Sequence, residues 1–342
     1  MMLAAVLLIL RPNTAAAQSV SARSAVLIDA HNHRVLWSKN SDQRALIAST
    51  TKIMTGLLIA ESCSLQDMVR VQPEAVGIEG SSMYLQEGEL LTVEALLYGL
   101  MLHSGNDAAV ALALYHSGDV ETFVAAMNAK AGELGLSDTC FANPHGLDDE
   151  NNYATACDLA VLAACAMENP VFSSIVSTKS VQIESRSFTN HNKLLWRCEG
   201  VIGVKTGYTK SAGRILVSCA ERDDRRLVAV TIHAPDDWND HQRLYEYGFS
   251  QYESRSLLQT GQIVAQVPVM SGAEAYAQAV VSGDYGCLLT KEETVEFFTE
   301  LPAFVYAPVL AGDQAGMLHM MLDGIEIGSV PLYWRYSVLE SG

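Results

Sequence analysis

The sequence predicts an α+β fold: an antiparallel sheet built from both ends of a first domain, a helical insertion between those ends, and a small all-β domain behind. Three observations carry this. Strand-like runs rich in Val, Ile and Leu lie near the start of the first domain (25–29, 34–37) and near its end (201–205, 214–220, 227–233). The stretch between them, at 93–101, 106–117, 120–135 and 155–168, places apolar residues at helical spacing. Beyond residue 253 the runs become short and alternating, broken by Gly283-Asp284, Ala311-Gly312-Asp313 and Asp323-Gly324.

Taken in order, residues 1–17 read as an export signal. Leu3 to Leu10 is an apolar run of eight residues, too short for a membrane-spanning helix. Ala15-Ala16-Ala17 fits a small-residue cleavage site, with Gln18 as the first mature residue. No lysine or arginine precedes the apolar run, which suits a coding start further upstream. The mature chain is then expected to comprise a domain at 18–252 and a β domain at 253–342. Ala30-His31-Asn32-His33 reads as the turn of a hairpin, and the segment after Ser49 as a helix (Ile53, Met54, Leu57, Leu58). Gly80-Ser81-Ser82 and Asn143-Pro144-His145-Gly146 are loops, Glu221-Arg222-Asp223-Asp224 is a polar turn, and 240–252 is a helix. In the β domain, Asp323-Gly324 between 317–322 and 325–330 is a strong hairpin signal. No apolar or amphipathic membrane anchor is visible after Tyr336.

Hydrophobic residues make up 49% of the chain and charged residues 18%, so a sizeable core is available. The net charge of −17 argues against nucleic acid as a partner, because its phosphates would be repelled. The seven cysteines include no C-x-x-C pair and the nine histidines no H-E-x-x-H, so neither a metal nor another cofactor is expected. Cys63, Cys165 and Cys219 sit in apolar stretches as small buried hydrophobes. Disulfide pairing stays open.

Ser49-Thr50-Thr51-Lys52 places a hydroxyl and an amine three residues apart, on one face of a helix. A serine needs a neighbouring base to act as a nucleophile, and a lysine of lowered pKa can be that base. On its own the tetrapeptide reads as well as a helix cap followed by a surface lysine. Two further tripeptides change that reading. Ser104-Gly105-Asn106 opens the 106–117 helix, and Lys205-Thr206-Gly207 ends a strand. Lys52 alone among the lysines has a serine three residues before it, Lys-Thr-Gly occurs once, and the other Ser-x-Asn, at Ser38, precedes Ser49. By residue type, Ser49 suits the nucleophile, Lys52 its base and Ser104 a proton relay. Asn106 can bond a substrate amide, while Lys205 and Thr206 suit a terminal carboxylate. Gly207 permits close approach of a substrate backbone.

In this order the three elements resemble the active-site serine penicillin-recognising enzymes, and the chain is similar to the D-alanyl-D-alanine carboxypeptidases of peptidase family S11. The resemblance extends through Ala48-Ser49-Thr50-Thr51-Lys52-Ile53-Met54-Thr55, Gly80-Ser81-Ser82-Met83, Ser104-Gly105-Asn106-Asp107-Ala108-Ala109 and Asn143-Pro144-His145-Gly146-Leu147. It continues through Ala154-Thr155-Ala156-Cys157-Asp158, Asn192-Lys193-Leu194-Leu195 and Gly203-Val204-Lys205-Thr206-Gly207-Tyr208-Thr209, covering roughly residues 22–250.

The resemblance implies a β-lactamase/transpeptidase-like catalytic domain followed by a C-terminal β domain common in the family. It implies removal of the terminal D-Ala from peptidoglycan stem peptides through an acyl-enzyme on Ser49, outside the cytoplasmic membrane of a bacterium. β-Lactams would acylate the same serine. The backbone N–H groups of Ser49 and Tyr208 would form the oxyanion hole. Asp158 is expected to hold a loop over the cleft, and His145 to serve loop hydrogen bonding. Four features depart from the family pattern: Tyr208 where some relatives carry His, Cys157 where Arg is common, no clear counterpart of the deacylating glutamate of class A β-lactamases (Glu150 and Glu168 stand by position only), and the missing anchor. A β-lactamase or endopeptidase of the same fold and a non-catalytic penicillin-binding scaffold are the rival readings; the scaffold would be expected to have lost Ser49, Lys52 or Lys205.

Overall fold

The computed structural model describes residues 19–342; the expected export signal lies outside them. The chain divides into two compact units, the first ending at Gly248 and the second spanning Phe249–Gly342.

The first unit is organised on a five-stranded antiparallel sheet. Its strands are β1 (Ser24–Asp29), β2 (Val35–Lys39), β3 (Val201–Thr209), β4 (Gly213–Arg222) and β5 (Arg225–Ile232), in the order β2-β1-β5-β4-β3. The amino-terminal hairpin thus pairs with the carboxy-terminal meander, Val26 opposite Val230. Every residue of β1 is buried, as in a strand covered on both faces. The covers are helical. Helix α5 (Ala156–Glu168) lies against β1, β4 and β5. On the Asp237–Gln251 helix, His241 and Tyr245 bond Ser218 of β4, and His241 also bonds Thr231 of β5. Asp223 and Asp224, both with positive φ, form the two-residue β4–β5 turn.

The helical insertion contains α1 (Lys52–Ser62), α2 (Val93–Met101), α3 (Asn106–Ser117), α4 (Val120–Glu133), α5 and α6 (Pro170–Ser177). The caps mark where each begins. Thr92 accepts from Ala95 N at 3.2 Å, Asp119 from Thr122 N at 2.7 Å, and Thr155 from Asp158 N at 3.0 Å. Helix α6, unforeseen in the sequence, starts at Pro170 behind an Asn169 cap. Apolar faces of these helices share one core with the sheet, including Ile53, Met54, Leu96, Leu112, Phe123 and Val217.

In the second unit a six-stranded sheet runs Glu296–Glu300, Gln314–Leu322, Ile325–Trp334, Tyr276–Val281, Ile263–Met270, Val305–Tyr306. Glu253–Leu258 pairs separately with Tyr285–Leu289. Asp323-Gly324 is the hairpin turn, with both residues at positive φ. Val267, Ala279, Leu318, Met320 and Leu332 form the core.

Among the described residues no disulfide forms, and of the three cysteines expected to be buried only Cys219 is, Cys63 and Cys165 being half-buried. Among the described residues there is no acidic, cysteine or histidine cluster fit for a metal ion, and no single helix is long and apolar enough to cross a membrane.

Candidate active site

The pairing of Ala45–Leu46 with Tyr153–Ala154 delivers the chain to Ser49. Ser49 lies in a single 3-10 turn, Ala48–Thr51, that runs directly into α1 at Lys52. The serine therefore occupies an opening turn, where backbone N–H groups lack intrahelical acceptors. Two glycines let neighbouring chain reach this turn. A Cβ on Gly207 of β3 would stand 3.3 Å from Ser49 N. A Cβ on Gly146 would stand 1.9 Å from the Ala48 carbonyl oxygen, and Gly146 also has φ +87°. Only glycine meets both demands at 146.

Lys52 is fully buried. Its Nζ lies 3.0 Å from Ser49 Oγ, donates to Asn106 Oδ1 at 2.6 Å, and donates to the His145 carbonyl. Burial pushes its pKa well down, the Lys205 charge pushes it further, and Asp107 opposes both. Burial and the Lys205 charge thus both favour the neutral amine.

Ser104 stands at positive φ (65°), immediately before the Gly105 cap of α3. Its Oγ accepts from Lys205 Nζ at 3.1 Å, and the same amine donates to the Thr206 carbonyl at 2.8 Å. Burial lowers the Lys205 pKa to about 7. Upstream, Asn192 Nδ2 donates to the Gly203 carbonyl at 2.8 Å, fixing the strand that delivers Lys205. Thr206 is half-buried and Tyr208 exposed on the same strand.

Asn106 is the first residue of α3. Besides accepting from Lys52, it donates from Nδ2 to the Glu79 carbonyl at 2.6 Å, and its backbone N–H donates to the Ser81 carbonyl at 2.7 Å. Asp107 holds the next part of that loop, accepting from Ser82 Oγ (2.6 Å), Met83 N (2.9 Å) and Leu85 N (3.1 Å).

The 143–148 loop closes another side. Thr55 Oγ1 donates to the Pro144 carbonyl at 2.6 Å, and Thr209 Oγ1 donates to Asp148 Oδ1 at 2.7 Å. Burial, helped by Lys52, lowers the His145 ring to about 4. The ring is neutral and Nδ1 accepts from Leu147 N at 3.2 Å; the residue touches Lys52 through its carbonyl. Asp158 is a tie. Its Oδ2 accepts from Asp138 N (2.9 Å) and Thr139 Oγ1 (2.8 Å).

The residues singled out in sequence thus form two linked pairs, Ser49–Lys52 and Ser104–Lys205, with Asn106 bound to the first and Thr206 to the second. Three contributors carried no usable signal: the His145 carbonyl, the Glu79 and Ser81 carbonyls on Asn106, and the clearance at Gly146. Backbone acceptors leave no mark in residue type, although the glycine and its loop motif were visible.

Residues 11–236 match the family model of the S11 peptidases, described as D-alanyl-D-alanine carboxypeptidase, and residues 252–339 match the C-terminal domain of penicillin-binding protein 5. The chain is 35% identical over 337 residues to the D-alanyl-D-alanine carboxypeptidase DacF of Bacillus subtilis (strain 168), covering 94% of this chain and 87% of the relative. It is 32% identical over 349 residues to DacC of Escherichia coli (strain K12), covering 96% and 87%. The crystal structure of penicillin-binding protein 5 from Haemophilus influenzae matches with a TM-score of 0.82 at 31% identity, over 94% of this chain and 98% of that one. On these matches the chain belongs to peptidase family S11, the D-alanyl-D-alanine carboxypeptidases.

Proposed function

We propose that this protein removes the terminal D-Ala from peptidoglycan stem peptides ending in D-Ala-D-Ala, through an acyl-enzyme on Ser49. The observation that carries this reading is the environment of Lys52. A neutral amine has two hydrogens and one lone pair. The Asn106 and His145 carbonyl oxygens take both hydrogens, which leaves the lone pair for the Ser49 hydroxyl 3.0 Å away.

Ser49 Oγ attacks the carbonyl carbon of the D-Ala-D-Ala bond while its proton passes to Lys52. The developing oxyanion is met by the N–H groups of Ser49 and Tyr208. Asn106, with one Nδ2 hydrogen left over from Glu79, bonds the substrate amide on the acyl side. Lys205 and Thr206 hold the terminal carboxylate by charge and hydroxyl, which restricts the enzyme to a free C-terminus. Ser104 hands its proton to the leaving amine and takes one from Lys205, to which it is bonded. Water then attacks the ester carbonyl and gives a proton back to Lys205 through Ser104, while Lys52 returns the first proton to Ser49 Oγ as the ester bond breaks. Penicillin enters at the same carbonyl position and acylates the same oxygen. Such a substrate lies outside the cytoplasmic membrane, so the protein acts there.

The test is direct. The protein is incubated with a pentapeptide ending in D-Ala-D-Ala and free D-Ala is assayed, beside Ser49→Ala. Release by the unmutated protein alone supports the reading; no release together with no covalent penicillin labelling overturns it.

A further inference from the structure

A cavity of about 180 Å³ lies at the end of the five-stranded sheet where β1 starts, β5 finishes and β3 turns into β4, with the 43–46 segment on one side. None of its lining residues belongs to the Ser49–Lys52 or Ser104–Lys205 pair.

Its charge runs against that of the whole chain. The chain carries 39 acidic residues against 22 lysines and arginines. Yet Arg23, Arg44 and His233 line this cavity, and among the described residues no Asp or Glu does. Arg44 is fixed in place. Its Nε and Nη2 donate to Asp138 Oδ1 at 3.0 and 2.8 Å, its Nη1 donates to the Tyr153 hydroxyl at 3.3 Å, and the guanidinium stands 4.8 Å from the Tyr153 ring centre. A guanidinium has five N–H groups, so two remain. The Arg23 guanidinium makes no bond or ion pair among the described residues. Two guanidiniums at one cavity repel each other, and an anion held by both offsets that repulsion.

The rest of the lining is apolar in part. Ile232 and Ala212 are buried there and Leu46 is half-buried. His233 is set against this wall, its Nδ1 3.3 Å from the Ala212 carbonyl oxygen. A cavity of about 150 Å³ holds a benzene ring, so this one has room for a carboxylate carrying a short aliphatic body. A bare phosphate would meet the arginines and leave the apolar wall uncovered.

We infer that this cavity is a second ligand site, which takes a small aliphatic carboxylate no larger than a free amino acid, its carboxylate held by Arg23 and Arg44.

The probe is propionate, titrated at constant ionic strength into the full chain, into Arg23→Gln and into Lys205→Gln, with binding followed by the NMR shifts of the protein. Arg23 is exposed and unpaired, so its replacement leaves the fold intact. The unmutated protein is expected to bind propionate saturably. Arg23→Gln is expected to weaken that binding by about tenfold or more, the size of a lost charge-assisted hydrogen bond. Lys205→Gln, which alters the catalytic carboxylate clamp, is expected to leave it within twofold. No saturable binding, or binding unchanged in Arg23→Gln, overturns the inference. Binding lost in Lys205→Gln also overturns it, by placing the carboxylate in the catalytic site. Inorganic phosphate bound as tightly as propionate overturns the assignment of an aliphatic ligand.

Discussion

Lys52 Nζ lies 2.6 Å from Asn106 Oδ1, closer than the 3.0 Å that separates it from Ser49 Oγ. The asparagine that the sequence assigns to the substrate amide is thus also a partner of Lys52. A neutral amide in that place accepts a hydrogen without adding charge, so it orients the amine while leaving its depressed pKa intact.

Replacing Asn106 by aspartate is therefore expected to be worse than a loss of one hydrogen bond. A carboxylate 2.6 Å from Nζ favours the charged form of Lys52 and raises its pKa. The acidic limb of the acylation rate moves to higher pH, and the rate at neutral pH falls by about tenfold or more, one pKa unit being tenfold in the neutral fraction. A pH–rate profile of penicillin acylation for Asn106→Asp checks this; an unmoved limb contradicts it.

Lys205 predicts an alkaline limb of its own. Burial holds its pKa at about 7 against the ordinary 10.5, and the carboxylate clamp needs the protonated form. Binding of the free-carboxylate substrate should weaken as pH rises through 7 and beyond, seen as a falling kcat/KM. Lys205→Gln should raise KM by roughly 10- to 100-fold, the size of a lost charge-assisted hydrogen bond, and flatten that limb. Linkage gives a second sign. Between about 7 and 10.5 the unfolded chain holds a proton that the folded chain lacks, so this residue makes the fold more stable as pH rises. The melting advantage of Lys205→Gln over the unmutated protein should shrink across that window.

Gly146→Ala tests the contact between loop and nucleophile. The new Cβ would stand 1.9 Å from the Ala48 carbonyl oxygen at a backbone φ of +87°, so either the loop or the turn bearing Ser49 must move. A stability loss of about 1–3 kcal/mol and at least a tenfold slower acylation are expected from thermal melting and stopped-flow measurements.

Much of the site was legible because it is local or ordered along the chain. Ser49 and Lys52 meet by helical spacing, and the three elements occur in one sequence order. The Ser104–Lys205 bond was not derivable from spacing, since it joins residues 101 apart and exists only once β3 lies beside the α3 start. Ser49 was expected to open an α-helix, but the 3-10 turn intervenes and α1 begins at Lys52. Ser104 stands close before the 106–117 helix in sequence, yet Gly105 takes the cap position without a side-chain bond. In the fold, the sheet from both ends and the Asp323-Gly324 hairpin followed from alternation and turn chemistry. Helix α6 and the Ser180–Ile183/Arg186–Thr189 hairpin did not, because they are short and their apolar spacing is weak.

Asp158 separates structure from chemistry. Its carboxylate ties Asp138 and Thr139 to α5 and touches none of the reacting residues. Asp158→Ala should cost about 1–3 kcal/mol through the two donors left unpaired, with kcat/KM for the pentapeptide kept within about twofold at a temperature where the variant is folded. A loss of kcat without a loss of stability would place Asp158 in the reaction instead.

The central claim is that Lys52 activates Ser49, and timed intact-mass spectrometry after mixing with penicillin tests it most directly. The account predicts one adduct per chain, mapped to the Ser49 peptide, absent in Ser49→Ala, and formed about 10²–10⁴ times more slowly in Lys52→Gln, the usual weight of a general base. An adduct that persists in Ser49→Ala, or one that forms at an unchanged rate in Lys52→Gln, would contradict it.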